Sequence, residues 1–255
     1  MRAETTIRTT TPAETIAEAV AFFEHEGPVE AIGIGSFGPV DLERGVITTT
    51  PKPGWAHTDV AGEIGRLLGV PLAFDTDVNA AALGEYRWGA LQGLDVCCYV
   101  TVGTGIGGGI LVGGKPLHGR QHPELGHLRI PHDRDDDPFP GVCPFHGDCW
   151  EGLASGPALE ARWGKPAGEL VDDAPWALEA RYLALGLLAV TAVVSPELIV
   201  LGGGVMHRPG LLESVQRQLD QLVNGYVAVP ELVAPALGGR AGVLGALALA
   251  ESVLA

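Results

Sequence analysis

Four side chains in this 255-residue sequence have the types and spacing of a metal clip: His127, Cys143, His146 and Cys149. The run Cys-x-x-His-x-x-Cys puts three ligands in one short segment, with a histidine sixteen positions upstream. Two thiolates and two imidazoles complete a tetrahedral shell, the closed chemistry of structural Zn²⁺. His118, His122 and His132 compete with His127 for the fourth place. A Cys143–Cys149 disulfide is the competing reading. Residues 1–11 are polar and show no apolar export segment, which favours reduced thiols and hence the metal.

Asp75-Thr-Asp77-Val-Asn79 stands where a strand ends and a helix begins, the edge at which parallel α/β proteins hold ligands. A carboxylate there is either a helix cap or a base kept ionised by the helix dipole, suited to taking a hydroxyl proton in phosphoryl transfer. Thr101-Val-Gly-Thr-Gly-Ile-Gly-Gly-Gly109 reads as a glycine-rich turn, either ligand-free or with backbone amides converging on a phosphate. No Gly-Lys-Ser/Thr closes it as in a Walker A loop, and a strand rather than a helix follows, which argues against a dinucleotide fingerprint. Leu201-Gly-Gly-Gly204 is a second glycine turn, tight or open enough for a flat base or ribose. Glu124 and Glu151 bracket the candidate zinc loop; they either point into one pocket and bind hydroxyls or are solvated acids. Pro51-Lys-Pro-Gly-Trp55 brings Trp55 to a cleft or into packing.

These residues need elements to hold them. A helix opens at Thr11-Pro12-Ala13-Glu14 and stops at Gly27, followed by a strand over 29–36, a helix over 59–68, a strand over 71–75 and a helix over 78–88. The alternation predicts a mostly parallel sheet. A strand over 95–102, the 103–109 turn and a strand from Ile110 follow, then a long polar loop over 118–150. Helices resume near Pro157 and over 175–194, a strand spans 197–201, and the last helix runs over 241–254. Two α/β lobes result: residues 1–90, and 91–240 with the zinc loop 118–150. The helix in 241–255 packs back on the first lobe. Hydrophobic residues at 46% and charged residues at 18% supply a core and exclude disorder. The formal charge of −15, with no Lys/Arg cluster, argues against nucleic acid as a partner. A nucleotide must then be held by backbone N–H groups and a metal. The strongly apolar uncharged stretch Tyr182 to Pro196 falls short of the roughly 20 residues of a membrane span.

Together these segments resemble the ROK family of sugar kinases, in the actin/hexokinase superfamily, and its zinc-containing fructokinase branch more than its glucokinases. The segments are Gly35-Ser-Phe-Gly-Pro-Val-Asp41, Thr50-Pro-Lys-Pro-Gly-Trp55, Asp77-Val-Asn-Ala-Ala-Ala-Leu-Gly-Glu85, the 101–109 run, His122-Pro-Glu-Leu-Gly-His127 and Cys143-Pro-Phe-His-Gly-Asp-Cys-Trp-Glu-Gly-Leu-Ala-Ser-Gly-Pro157. The resemblance implies a two-lobed actin/hexokinase-like (ribonuclease H-like) α/β fold and ATP-dependent phosphorylation of a hexose, fructose to fructose 6-phosphate. Asp77 would be the base. Asn79, Glu124, His127 and Glu151 would bind the sugar, with His127 also on the zinc. Gly103, Thr104, Gly105 and Gly107 would face the ATP phosphates and their Mg²⁺; Pro157, Gly202, Gly203 and Gly204 would lie along the nucleotide. A cytoplasmic homodimer acting on small molecules, without nucleic acid or membrane, is expected. The family's first strand carries Asp-x-Gly-Gly-Thr, which these residues lack, so the N-terminal lobe is expected to be incomplete. The alternative is a sugar-binding protein with weak or no turnover.

Overall fold

In the computed structural model, which describes residues 3–254, the first helix is α1 (Pro12–Glu26). Met1, Arg2 and Ala255, at the outer ends of the expected first lobe and last helix, lie outside the described residues. Thr11 caps α1: its Oγ1 accepts from the Glu14 N–H and donates to Glu14 Oε2 at 2.9 Å, with Pro12 in the first turn. β1 (Ile32–Ser36) follows, then three two-residue strands that pair antiparallel: β2 (Val40–Asp41), β3 (Val46–Ile47) and β4 (Thr58–Asp59). α2 (Val60–Leu68) leads to β5 (Leu72–Thr76), which pairs parallel with β1 from Ile32–Leu72 to Ser36–Thr76. α3 (Asp77–Trp88) begins on the next residue; its cap is Thr76, whose Oγ1 accepts from the Asn79 N–H at 3.1 Å. Asp77 is thus free of the capping role that its position also allowed.

β6 (Val96–Val102), β7 (Ile106–Val112) and β8 (Lys115–Pro116) come next. Beyond the zinc-loop segment lie α4 (Trp150–Ala154), α5 (Gly156–Trp163) and α6 (Asp173–Val194). The chain then runs through β9 (Leu198–Gly202), α7 (Leu211–Val223), β10 (Glu231–Val233) and α8 (Ala241–Ser252). The parallel β1–β5 pair agrees with the alternation expected over 29–88, beside the small antiparallel β2–β3–β4 sheet. The five-stranded sheet has the order β10-β9-β6-β7-β8 and is mixed: β10, β9 and β6 run parallel, β6–β7 and β7–β8 antiparallel. Only three residues join β6 to β7, too few for a parallel crossover.

The 103–109 segment differs from expectation. Residues 103–105 make the turn, while Gly107, Gly108 and Gly109 are strand residues. The reason is steric, because α3 crosses this face and a Cβ on Gly109 would lie 2.4 Å from the Val78 carbonyl oxygen. α6 is 22 residues long and, by length and composition alone, apolar enough to cross a membrane, unlike the shorter uncharged stretch 182–196 that overlaps its C-terminal part. Its Trp176, Ala180, Leu183 and Leu187 are instead buried in one cluster with Ile199 and Leu201 of β9 and Val215 and Leu219 of α7. A separate apolar cluster joins Ile16 and Val20 of α1, Ile32 of β1, Ile47 of β3 and Ile64 of α2. α3 touches the β1–β5 pair and the five-stranded sheet, and α8 packs along α3, β1 and β5, so these two helices set the site's edges.

Candidate active site

His127 ends a single 3₁₀ turn (Leu125–His127). Cys143 and Gly147 close a knuckle by exchanging backbone hydrogen bonds of 3.2 and 2.9 Å, and Cys149 leads into α4. This folding gathers the ligand atoms of His127, Cys143, His146 and Cys149 within 4.8 Å of one another. Cys143 Sγ lies 3.7 Å from His127 Nδ1 and 3.6 Å from His146 Nδ1, and Cys149 Sγ lies 3.6 Å from His127 Nδ1. Tetrahedral Zn²⁺ with bonds of ~2.3 Å to sulfur and ~2.1 Å to nitrogen has edges of about 3.6 Å, so the donor set fits that ion. Burial, with the Cys143 thiol alongside, pushes the Cys149 thiol up to about 11, and a bound cation is what would make it a thiolate ligand.

The competing histidines are engaged elsewhere. His118 Nε2 is 3.0 Å from Asp75 Oδ2, His132 Nδ1 is 3.1 Å from Asp148 Oδ2, and His122 Nε2 accepts from the Val40 N–H at 3.0 Å. Cys143 and Cys149 are free thiols. The loop is pinned beside the knuckle by Arg129, which donates to the His146 carbonyl at 2.8 Å and to Asp148 at 2.6 Å.

A cleft of about 1050 Å³ opens beside this clip and brings Asp77, Glu124, His127 and Glu151 onto the same walls as Gly103, Thr104, Gly105 and Gly107. Asp77 Oδ1 accepts from the Val78 N–H at 2.9 Å. The residue keeps solvent access through the cleft mouth, yet the surrounding protein raises its carboxyl pKa by desolvation, against the pull of backbone N–H groups and the charge of Lys52. Desolvation is thus the largest influence on this carboxyl, with the backbone N–H groups pulling the other way. Glu124 is pushed up to about 7, by desolvation first and then by Glu151 and Asp77. Glu151 Oε2 accepts from the Ile106 N–H at 3.0 Å, which fixes the start of α4 against the start of β7.

Five residues expected at the sugar or the nucleotide lie off these walls. Asn79 is buried at 1% exposure, its Nδ2 donating to Asp75 Oδ1 at 2.7 Å and its Oδ1 without a partner. Pro157 and Gly202, Gly203 and Gly204 do not line the cleft but adjoin its Gly103 end, where the Gly156 N–H donates to the Gly103 carbonyl at 2.7 Å. Trp55 resolves to packing: it is buried in the N-terminal cluster, donates from Nε1 to the Thr10 carbonyl at 2.8 Å and meets Phe37 edge-on.

Two cleft residues escaped the sequence reading. Lys52 lines the cleft with its Nζ 4.5 Å from the Phe37 ring centre; as one of only three lysines in the chain, it carried a compositional signal. His122 was considered only as a metal ligand. Because its Nε2 accepts from Val40, its proton sits on Nδ1, which lies 3.5 Å from Glu124 Oε1. No local pattern announces that contact.

An α/β fold of this topology, with a histidine–cysteine clip beside a cleft carrying an acid at a helix start, is that of the ROK sugar kinases. The ROK family model matches residues 1–253, and the chain belongs to that family. A fructokinase from Zymomonas mobilis is 47% identical over 264 residues, covering 96% of this chain and 87% of its own. A fructokinase from Streptococcus mutans is 42% identical over 262 residues, covering 97% and 88%. Among solved structures, the ROK hexokinase of Thermus thermophilus superposes with a TM-score of 0.79 at 32% identity over 95% of this chain and 86% of its own. The ROK family glucokinase of Streptomyces griseus, solved with glucose and AMPPNP, gives 0.77 at 30% over 95% and 89%.

Proposed function

We propose that this ROK-family sugar kinase transfers the terminal phosphoryl group of ATP to a hexose hydroxyl, fructose giving fructose 6-phosphate, with Asp77 taking the hydroxyl proton. The observation that carries the reading is the shared cleft: an acid at the head of α3 faces both the Glu124–His127–Glu151 trio and the Gly103–Gly105 turn. The identities of 42–47% to fructokinases favour fructose as the acceptor.

Glu124 and Glu151 accept hydrogen bonds from sugar hydroxyls. His127 turns Nδ1 to the thiols, leaving Nε2 as the atom able to meet the sugar. Zn²⁺ on His127, Cys143, His146 and Cys149 would hold the loop that carries these groups. The hydroxyl oxygen attacks the γ-phosphorus, its proton passes to Asp77, and ADP leaves. A base raised in pKa holds that proton more readily. Thr104 and Gly105 offer backbone N–H groups to the phosphates of Mg–ATP, in a turn closed by the Gly103 N–H donating to the Gly105 carbonyl at 2.9 Å, while Pro157 and Gly202–Gly204 border the nucleotide's far end.

The second reading is sugar binding with slow or no turnover. A coupled ADP-release assay with fructose, glucose and mannose, beside calorimetric sugar binding, tests both readings. Fructose should turn over fastest. Asp77→Asn should lose about 10²–10⁴-fold in kcat while still binding fructose. Fructose binding by the wild type without ADP release would select the second reading, and an Asp77→Asn enzyme as fast as wild type would remove Asp77 as base.

A further inference from the structure

We propose that Lys52 is the phosphate contact on the acceptor side of the cleft, meeting the phosphoryl group as it arrives on the sugar and holding it in the sugar-phosphate product. The inference rests on the sugar-kinase reading above. Three carboxylates, Asp77, Glu124 and Glu151, line the cleft, and Lys52 is the only Lys or Arg among the described lining residues. A phosphoryl group delivered beside three acids brings more negative charge into a space where solvent screening is reduced. Some cation must offset it on the sugar's side, and Lys52 is the cation that this wall supplies.

The lysine is built to stay there. Its N–H donates to Thr50 Oγ1 and its carbonyl accepts from the Trp55 N–H, both at 3.3 Å. Its ammonium rests over Phe37, whose ring is braced edge-on by buried Trp55 at 5.3 Å. No described carboxylate forms an ion pair with it. A cation–π contact occupies one side of an ammonium and leaves N–H donors for a phosphate oxygen. The charge also reaches Asp77, where it opposes the rise in pKa caused by desolvation. Base and ammonium therefore line one cleft within electrostatic reach of each other, one for the departing proton and one for the arriving phosphoryl group.

Calorimetry on the purified chain with fructose and with fructose 6-phosphate tests this, using wild type, Lys52→Met and Lys52→Arg. Methionine keeps a long apolar stem over Phe37 and removes only the charge. Lys52→Met should lose about tenfold or more in affinity for fructose 6-phosphate, the value of a hydrogen bond to a charged group, and stay within about twofold for fructose. Lys52→Arg should recover part of the loss. Turnover by Lys52→Met should show a fall in kcat larger than any rise in the fructose KM. Unchanged fructose 6-phosphate affinity in Lys52→Met overturns the proposal, as does an equal loss for both ligands, which would mark a purely structural lysine. A wild-type chain that binds neither ligand would instead sink the sugar-kinase reading, and this proposal with it.

Discussion

Glu124 sits where the cleft wall thins its solvent and where Glu151 and Asp77 add like charge, so its carboxyl is held at about 7 instead of the ordinary 4.5. The folded state thus favours the protonated form. Its stability contribution is fully present below pH 4.5 and is lost as pH rises through about 7. Glu124→Gln removes that dependence: its melting temperature should match wild type near pH 5 and exceed it at pH 8. The gain should be small, because the side chain is 40% exposed and water screens part of the repulsion. The same variant should raise the fructose KM by about tenfold, since a neutral amide is a weaker acceptor than a carboxylate. Melting curves at the two pH values decide the first point, and a variant less stable than wild type at pH 8 contradicts it. Cys143→Ser should take zinc from about one per chain to near none by metal analysis; undiminished zinc would remove Cys143 from the ligand set. The His127–Cys143–His146–Cys149 cluster was legible in the sequence because three of the four fall within seven residues, where spacing constrains geometry. Lys52 and His122 were not, because their roles depend on Phe37 and Val40, neighbours that only the fold provides.

Among the elements, the α3–α8 contact has the least room for change. A Cβ on Gly245 would lie 1.5 Å from the Ala80 carbonyl oxygen, a distance no side-chain rotation relieves. Helix propensity alone would make Gly245→Ala stabilising by about 1 kcal/mol. The clash outweighs that, because α8 must move off α3 and off β1. The variant should be destabilised by about 3 kcal/mol or more, read by urea denaturation, and an equal or raised midpoint would mean that the helices separate easily. The sequence showed these helices well: α3 was expected over 78–88 and is Asp77–Trp88, and α8 over 241–254 and is Ala241–Ser252. It did not show β2, β3, β4 or β10, strands of two or three residues that are too short for any periodicity to register. The 101–109 glycines misled for a related reason. Glycine marks both a tight turn and a strand pressed by a helix, and one sequence cannot separate the two.

At the scale of the whole molecule, the chain carries a formal charge of −15, and among the described Lys and Arg residues only Lys52 lines the cleft. On the proposed kinase reading, a doubly negative Mg–ATP complex must approach against that field, whereas fructose is neutral and is indifferent to it. At 10 mM salt the Debye length of about 30 Å exceeds the molecule's radius; at 150 mM it falls to about 8 Å, and most of the repulsion is screened. The kcat/KM for Mg–ATP should therefore rise by about two- to tenfold between those salt concentrations. That is the reverse of a site steered by basic residues. The kcat/KM for fructose at saturating Mg–ATP should stay nearly constant over the same range. Initial rates across a KCl series, with each substrate varied in turn, give both numbers. A Mg–ATP term that falls with salt would mean that local cation density at the cleft mouth, with Lys52 at its centre, outweighs the net charge of the whole chain.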